Sequence, residues 1–143
     1  MNTDLTQAIV GLTGTDATVV LCRGEVCFTD SRRGVAPLLA LLDSGRDVTG
    51  FAAADRVVGK AAAFLYVRLG VAAVYAPVMS RPAYAVLVAH GIEAAYGELV
   101  EAIRNRAGDG FCPMETAVWD ISQPEEAETT IRRTLKNLSK NRG

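Results

Sequence analysis

The most apolar stretch of the chain, residues 57–78, constrains the fold more than any other feature of the sequence. It is not a membrane span of about 20 uninterrupted apolar residues, because it contains Gly59, Lys60, Arg68, Gly70 and Pro77. We therefore predict that it lies in the core of a globular domain. Residues 55–69 are apolar almost all round and end at a glycine, which predicts a central helix buried against a sheet. Residues 71–78 form an apolar run of strand length and predict a buried strand.

Shorter patterns predict the elements around this pair. Further helices are predicted over residues 5–12, 34–42, 83–90 and about 123–138. Strands are predicted over 18–22 and 26–29, joined by a tight turn in which Gly24 adopts positive φ. Residues 93–100 fit a further strand, although 98–104 can also be written as a helix, and both interpretations stay open here. The alternation of helices and strands predicts the α/β class, as a three-layer α/β/α sandwich around a mixed sheet.

Length and composition favour one domain and exclude several partners. The 143 residues suit a single domain over 1–143, with its core at about 5–120 and a terminal helix after it. A net charge of −1 and scattered basic residues argue against nucleic-acid binding. We expect no membrane partner and a cytoplasmic protein without a signal peptide. The thiols are expected to lie in a reduced compartment, since no cysteine pair has the C-x-x-C spacing. Cys22 and Cys27 of the hairpin are interpreted as plain core residues. Whether the protein forms a homo-oligomer stays open.

Several polar residues near the predicted helix starts are candidates for a ligand site. Asp55 is placed at the start of the central helix, where it would either cap backbone N–H groups or bind a ligand. Lys60 interrupts an otherwise apolar helix, so it must reach water or meet an anion. Gly59 costs about 1 kcal/mol relative to alanine within a helix, which close packing or a ligand would explain. Ser80 would either cap the following helix or bind a ligand.

Cys112 and Glu115 are the candidate catalytic residues. The run Cys112-Pro113-Met114-Glu115 has proline at a first helical position and an acid in the first turn, which is an ordinary helix start. The N-terminus of that helix would also stabilise the thiolate form of a cysteine at this position. We expect Cys112 to share one pocket with Lys60 and Asp55, because ligand sites in open α/β sheets lie beyond the strand ends.

The same residues carry a resemblance to a known family. The pattern resembles the DUF1893 family of domains of unknown function over roughly residues 5–120. It consists of ADRVVGKAAA at 54–63, VYA at 74–76, Ser80, Asn105-Arg106 and CPME at 112–115. The resemblance implies a cytidine-deaminase-like fold without an established activity. Asn105, as part of this pattern, joins the candidate ligand-binding residues.

A zinc deaminase carries a His or Cys near a catalytic Glu on one helix and P-C-x-x-C at the next. Here Gly59-Lys60-Ala61 and Ser80-Arg81-Pro82-Ala83 stand at the corresponding places. We therefore expect no metal and no other cofactor. His90, the one histidine, is interpreted as a helix-end residue. Two functions stay open: a small-molecule enzyme without zinc that acts on an anionic or nucleotide-like compound, and a non-catalytic ligand-binding or regulatory module.

Overall fold

The computed structural model describes residues 2–105, 107–108 and 110–141, with side chains up to residue 139. The helices are α1 Thr3–Thr13, α2 Ala36–Ser44, α3 Lys60–Leu69, α4 Arg81–Ala89, α5 Pro113–Ala117 and α6 Pro124–Asn141. The strands are β1 Val19–Arg23, β2 Val26–Asp30, β3 Ala52–Asp55, β4 Val57–Val58, β5 Ala73–Ser80 and β6 Glu93–Val100.

The strands form a six-stranded mixed sheet in this part of the chain. β1 pairs antiparallel with both β2 and β3, whereas β3, β4 and β6 all run parallel to β5. β6 pairs along the whole of β5, so β3 and the short β4 lie one after the other on the opposite side of β5. The carboxyl ends of the parallel strands therefore meet at one edge of the sheet.

Helices cover both faces of this sheet. Val20 and Cys22 of β1 pack with Ala8 and Leu12 of α1 on one face. Leu21, which alternates with them along β1, belongs to the larger core on the other face, where α3 lies among α2, α4 and α6. This alternation is what a strand buried on both faces requires. The predicted three-layer α/β/α architecture with a mixed sheet is confirmed.

Three glycines turn the chain or end a helix, and two of them, Gly24 and Gly70, do so as predicted. Gly24 has φ 60° in the β1–β2 turn. Gly45 and Gly70, with φ 72° and 75°, end α2 and α3 in the left-handed conformation that glycine adopts at low cost. The alternative helix over 98–104 is wrong, because residues up to Val100 extend β6 along β5.

The predicted start of the central helix is also wrong. Asp55 does not cap that helix; it ends β3, and α3 begins only at Lys60 with Gly59 as its N-cap. The three alanines before Asp55 favour a helix in isolation. They form a strand because it lies between β1 and β5, where all three are buried under helices on both faces. Lys60 is consequently the first residue of α3 rather than an interruption within it.

The interpretation of Cys22 and Cys27 as plain core residues with reduced thiols is right only in that Cys22 is buried, because Cys27 is exposed and the two thiols are not free. They are direct partners in the antiparallel β1–β2 register and form a disulfide. Cys112 is the free cysteine. Within the described residues, no helix is long and apolar enough to cross a membrane.

Candidate functional site

A cavity of about 250 Å³ lies beyond the carboxyl end of β3. The starts of α2 and α3 and the segment 103–115 complete its walls. It is lined by Thr18, Gly34, Val35, Asp55, Arg56, Val57, Gly59, Ala61, Ala62, Ile103, Cys112, Met114 and Glu115. We call it the β3 pocket. The carboxyl ends of parallel strands are the usual place for ligands in open α/β sheets.

Asp55 brings a carboxyl group to the wall of the β3 pocket. The residue is only 9% exposed, and its Oδ2 accepts a hydrogen bond of 2.6 Å from the hydroxyl of the fully buried Tyr66. Burial raises the pKa of Asp55 to about 7, although the Tyr66 hydroxyl and the backbone N–H groups of Val57 and Arg56 act in the opposite direction. Asp55 can therefore exchange a proton near neutral pH.

Glu115 joins three separate elements through one buried carboxylate. Its Oε1 accepts from the backbone N–H of Lys60 at 2.5 Å and from the Ser80 hydroxyl at 3.3 Å. Its Oε2 accepts from the backbone N–H of Ile103 at 2.7 Å. The side chain is 1% exposed. Glu115 thus links the first turn of α3, the residue that caps α4 and the segment after β6, and both of its oxygens are engaged.

Gly59 permits the close approach of that carboxylate. A Cβ atom at this position would lie 3.0 Å from Ile103 Cγ1 and 3.1 Å from Glu115 Oε2. The backbone of Gly59 is extended, with φ −97°, so the requirement for glycine comes from packing rather than from backbone conformation. The predicted cost of a glycine within a helix does not apply, because Gly59 is the N-cap of α3, and close packing explains the presence of glycine there.

Replacing Gly59 by alanine should lower the free energy of unfolding by about 1–3 kcal/mol, because Ile103 or Glu115 must move away from the new methyl group. Chemical denaturation measures this loss. Gly14→Ala is the matched control, since its Cβ would meet only Val10 O at 3.4 Å and Gly14 has φ −89°. If Gly59→Ala were as stable as Gly14→Ala, the close packing at Gly59 would be refuted.

The seven residues predicted to form a site do not all lie together. Asp55, Gly59, Cys112 and Glu115 line the β3 pocket. Ser80 is buried next to it, where its hydroxyl caps α4 by accepting from Ala83 N at 3.2 Å and donates to Glu115. Asn105 lines a neighbouring cavity.

Lys60 points elsewhere. Its Nζ donates to the carbonyl oxygen of Trp119 at 2.6 Å, and the side chain lines a separate depression with His90. Partial burial lowers the pKa of Lys60, whereas the charges of Asp120 and Glu115 act in the opposite direction. The structure thus joins the backbone of Lys60 to Glu115 but does not bring its ammonium group to the β3 pocket.

The residues at the two helix starts do not fit a zinc ion. Gly59 and Ser80 precede α3 and α4, the two positions compared above with the ligand motifs of zinc deaminases, and neither residue is a usual zinc ligand. The carboxylate of Glu115 lies between these helix starts and accepts hydrogen bonds from both sides. Among the residues that the structure describes, no group of three His, Cys, Asp or Glu side chains could hold a metal ion.

Sequence reasoning missed several residues of the site. Arg56 follows Asp55 in the family pattern, and its guanidinium donates to the backbone carbonyls of Leu12, Thr15 and Ala17. The place of Arg56 in that pattern could therefore have identified it from the sequence. Tyr66 and Ile103 carry no such signal, because only the tertiary fold brings them to Asp55 and Glu115.

One solved structure has the same architecture over nearly the whole chain. A crystal structure of a DUF1893 family protein, TM1506 from Thermotoga maritima, superposes with a TM-score of 0.82 at 25% identity, over 96% of this chain and 92% of that one. A diaminohydroxyphosphoribosylaminopyrimidine deaminase/5-amino-6-(5-phosphoribosylamino)uracil reductase from the same organism gives a TM-score of 0.43 at 13% identity, over 97% of this chain and 41% of that one.

The sequence comparisons address the family directly. No curated protein sequence matches the chain. The sequence profile of the family described as TM1506, domain of unknown function (DUF1893), matches residues 7–135. The resemblance predicted from the sequence is confirmed: the chain belongs to the DUF1893 family.

Proposed function

We propose that this domain binds a nucleotide-like small molecule and that the β3 pocket holds its heterocyclic ring. The observation that carries the proposal is the buried carboxyl of Asp55 on the wall of an otherwise largely apolar cavity. Ligand pockets combine these two features: apolar surface contributes affinity, and a few polar groups fix the orientation of the ligand. Asp55 would accept from, or donate to, a nitrogen of the ring.

The size of the pocket supports a ring rather than a larger body. A cavity of about 150 Å³ is enough for benzene. The β3 pocket, at about 250 Å³, leaves room for a one-ring or two-ring heterocycle together with its polar substituents.

Binding without catalysis accounts best for Glu115. Its two oxygens accept from two backbone N–H groups and one hydroxyl, so these contacts give it a structural role: they hold α3, α4 and the segment after β6 together. A zinc-dependent deamination is left out of the proposal, because the residues at the starts of α3 and α4 supply none of the ligands that it needs. Lys60 is left out because its ammonium group contacts Trp119.

Protection of Cys112 tests the proposal. Cys112 lines the β3 pocket and is half-buried, whereas the other two cysteines form a disulfide, so iodoacetamide reports on this thiol. We expect at least one of adenosine, guanosine, cytidine and uridine monophosphate to slow its alkylation in a saturable manner. Asp55→Asn should raise the concentration needed for half protection about tenfold, since it removes a carboxyl from a buried polar contact.

Asp16→Asn is the control for that measurement, because Asp16 is an exposed aspartate outside the pocket. It should leave the half-protecting concentration unchanged. If none of the four nucleotides protected Cys112, or if Asp55→Asn and Asp16→Asn behaved alike, the proposed ring site would be wrong.

A small-molecule enzyme is the second candidate, and one arrangement favours it. Cys112 lines the same cavity as Asp55, whose pKa of about 7 suits proton transfer at neutral pH. Conversion of one of the four nucleotides by the wild type, but not by Cys112→Ser, would favour this candidate over pure binding.

A further inference from the structure

A second cavity, of about 620 Å³, adjoins the β3 pocket. The two share Gly34, Val35, Cys112 and Met114 on their walls. The second cavity is distinguished by Arg33 and Arg104, and we call it the arginine groove. The four shared residues place a cavity lined by two arginines directly beside the β3 pocket.

Among the residues that the structure describes, the walls of the groove supply no negative charge to balance the two arginines. Of the lining residues that the structure describes, none is acidic. Arg32, the neighbour of Arg33, forms an ion pair with Asp30 at 2.5 Å. No carboxylate in the described part of the chain lies within ion-pair distance of Arg33 or Arg104. Both arginines are exposed, so their charges are available to a dissolved anion.

Local structure holds one of these charges in place. Arg104 and Phe111 form an antiparallel bridge, and the guanidinium carbon of Arg104 lies 5.5 Å from the centre of the Phe111 ring. Stacking on an aromatic ring restricts a guanidinium group and leaves its N–H edge able to donate. Arg33 reaches the groove from the other side, from the turn at Gly34 that leads into α2.

We propose that the arginine groove binds the phosphate group of the ligand whose ring occupies the β3 pocket. This inference rests on the proposed function and extends it, since it assigns a phosphorylated ligand and names the residues that would bind the phosphate. Arginine suits that task because its charge persists at all physiological pH values and its planar fork pairs with two phosphate oxygens. The arrangement divides the ligand into an apolar ring beside Asp55 and an anion beside Arg33 and Arg104.

Titration calorimetry with matched ligand pairs tests the phosphate subsite. Each of the four nucleoside monophosphates is compared with its nucleoside, using the wild type and the Arg33→Gln/Arg104→Gln double variant. In the wild type the phosphate should improve affinity about tenfold or more. The double variant should lose this gain while it binds the nucleoside as the wild type does. Added salt should weaken binding of the monophosphate but not of the nucleoside.

Arg133→Gln is the matched control, because Arg133 is an exposed arginine of α6 that does not line the groove. It should keep the full gain from the phosphate. If nucleosides bind but the phosphate adds nothing, or if the double variant keeps the gain, the subsite is overturned and the ring site stands. If neither form binds, both proposals are overturned.

Discussion

Replacing Glu115 by alanine is expected to lower the free energy of unfolding by about 3 kcal/mol. The substitution leaves the backbone N–H groups of Lys60 and Ile103 without their acceptor, together with the Ser80 hydroxyl. A hydrogen bond to a charged group contributes about 1.5–3 kcal/mol. Part of this sum is offset, because water can enter from the β3 pocket and because the substitution removes a buried charge. Chemical denaturation at neutral pH measures the loss.

Glu115→Gln distinguishes the role of the carboxylate from that of the side-chain volume. An amide has one acceptor oxygen, so its NH2 group must face one of the two backbone N–H donors that Glu115 now binds. We expect Glu115→Gln to lie between the wild type and Glu115→Ala in stability. Glu98→Ala, at an exposed position of β6, should change stability by less than about 0.5 kcal/mol. Equal stability of Glu115→Ala and Glu98→Ala would show that Glu115 does not join the three elements.

Asp55 should make the protein less stable as the pH rises from about 4 to 7. Its pKa is about 7 in the folded chain and about 3.9 in an unfolded one. Between these values the folded state binds the proton more tightly, so each increase in pH favours the unfolded state. Below about pH 4 the contribution of Asp55 is fully present, and above about pH 7 it is lost. The whole change amounts to about 4 kcal/mol.

Asp55→Asn isolates this effect, because asparagine has nearly the same shape and does not titrate. The lowered pKa values of Asp30 and Glu128 give the opposite dependence, but both residues are present in the wild type and the variant. The stability of Asp55→Asn relative to the wild type should therefore rise by about 4 kcal/mol between pH 4 and pH 8. The stability of Asp16→Asn relative to the wild type should not change between pH 4 and pH 8. A flat difference for Asp55→Asn as well would mean that the Asp55 carboxyl is not desolvated.

Local signals predicted the frame of this fold because they act through a few neighbouring residues. Gly24, Gly45 and Gly70 mark a turn and two helix ends through backbone conformations that glycine adopts at low cost. β3 could not be predicted in this way. Its alanines favour helix locally, and the positions between β1 and β5 make them a strand.

Part of the lining of the β3 pocket was predicted for the same reason. Cys112, Glu115, Asp55 and Gly59 drew attention as polar or small residues near element ends, and all four line the β3 pocket. Their partners could not be inferred. The Tyr66 hydroxyl reaches Asp55 across the core, and Glu115 reaches the amides of Lys60 and Ile103, because the packing of α3 and α5 brings them together.

The arginines of the groove were missed for a different reason. Arg33 and Arg104 are far apart in the sequence, and the near-neutral net charge hid a local excess of positive charge. Lys60 was selected instead because it was predicted to lie inside an apolar helix. As the first residue of α3, it extends over the Phe64 ring to the Trp119 carbonyl.

Mapping of backbone amide chemical shifts during titration with the four nucleoside monophosphates tests the ring site most directly. At least one of them is expected to shift the amide signals of Val35, Arg56, Val57, Ile103 and Cys112, which surround the β3 pocket. The shifts should saturate, and Asp55→Asn should weaken them. Shifts confined to the depression beside Lys60 and His90, or no shift with any of the four nucleotides, would contradict the ring site in the β3 pocket.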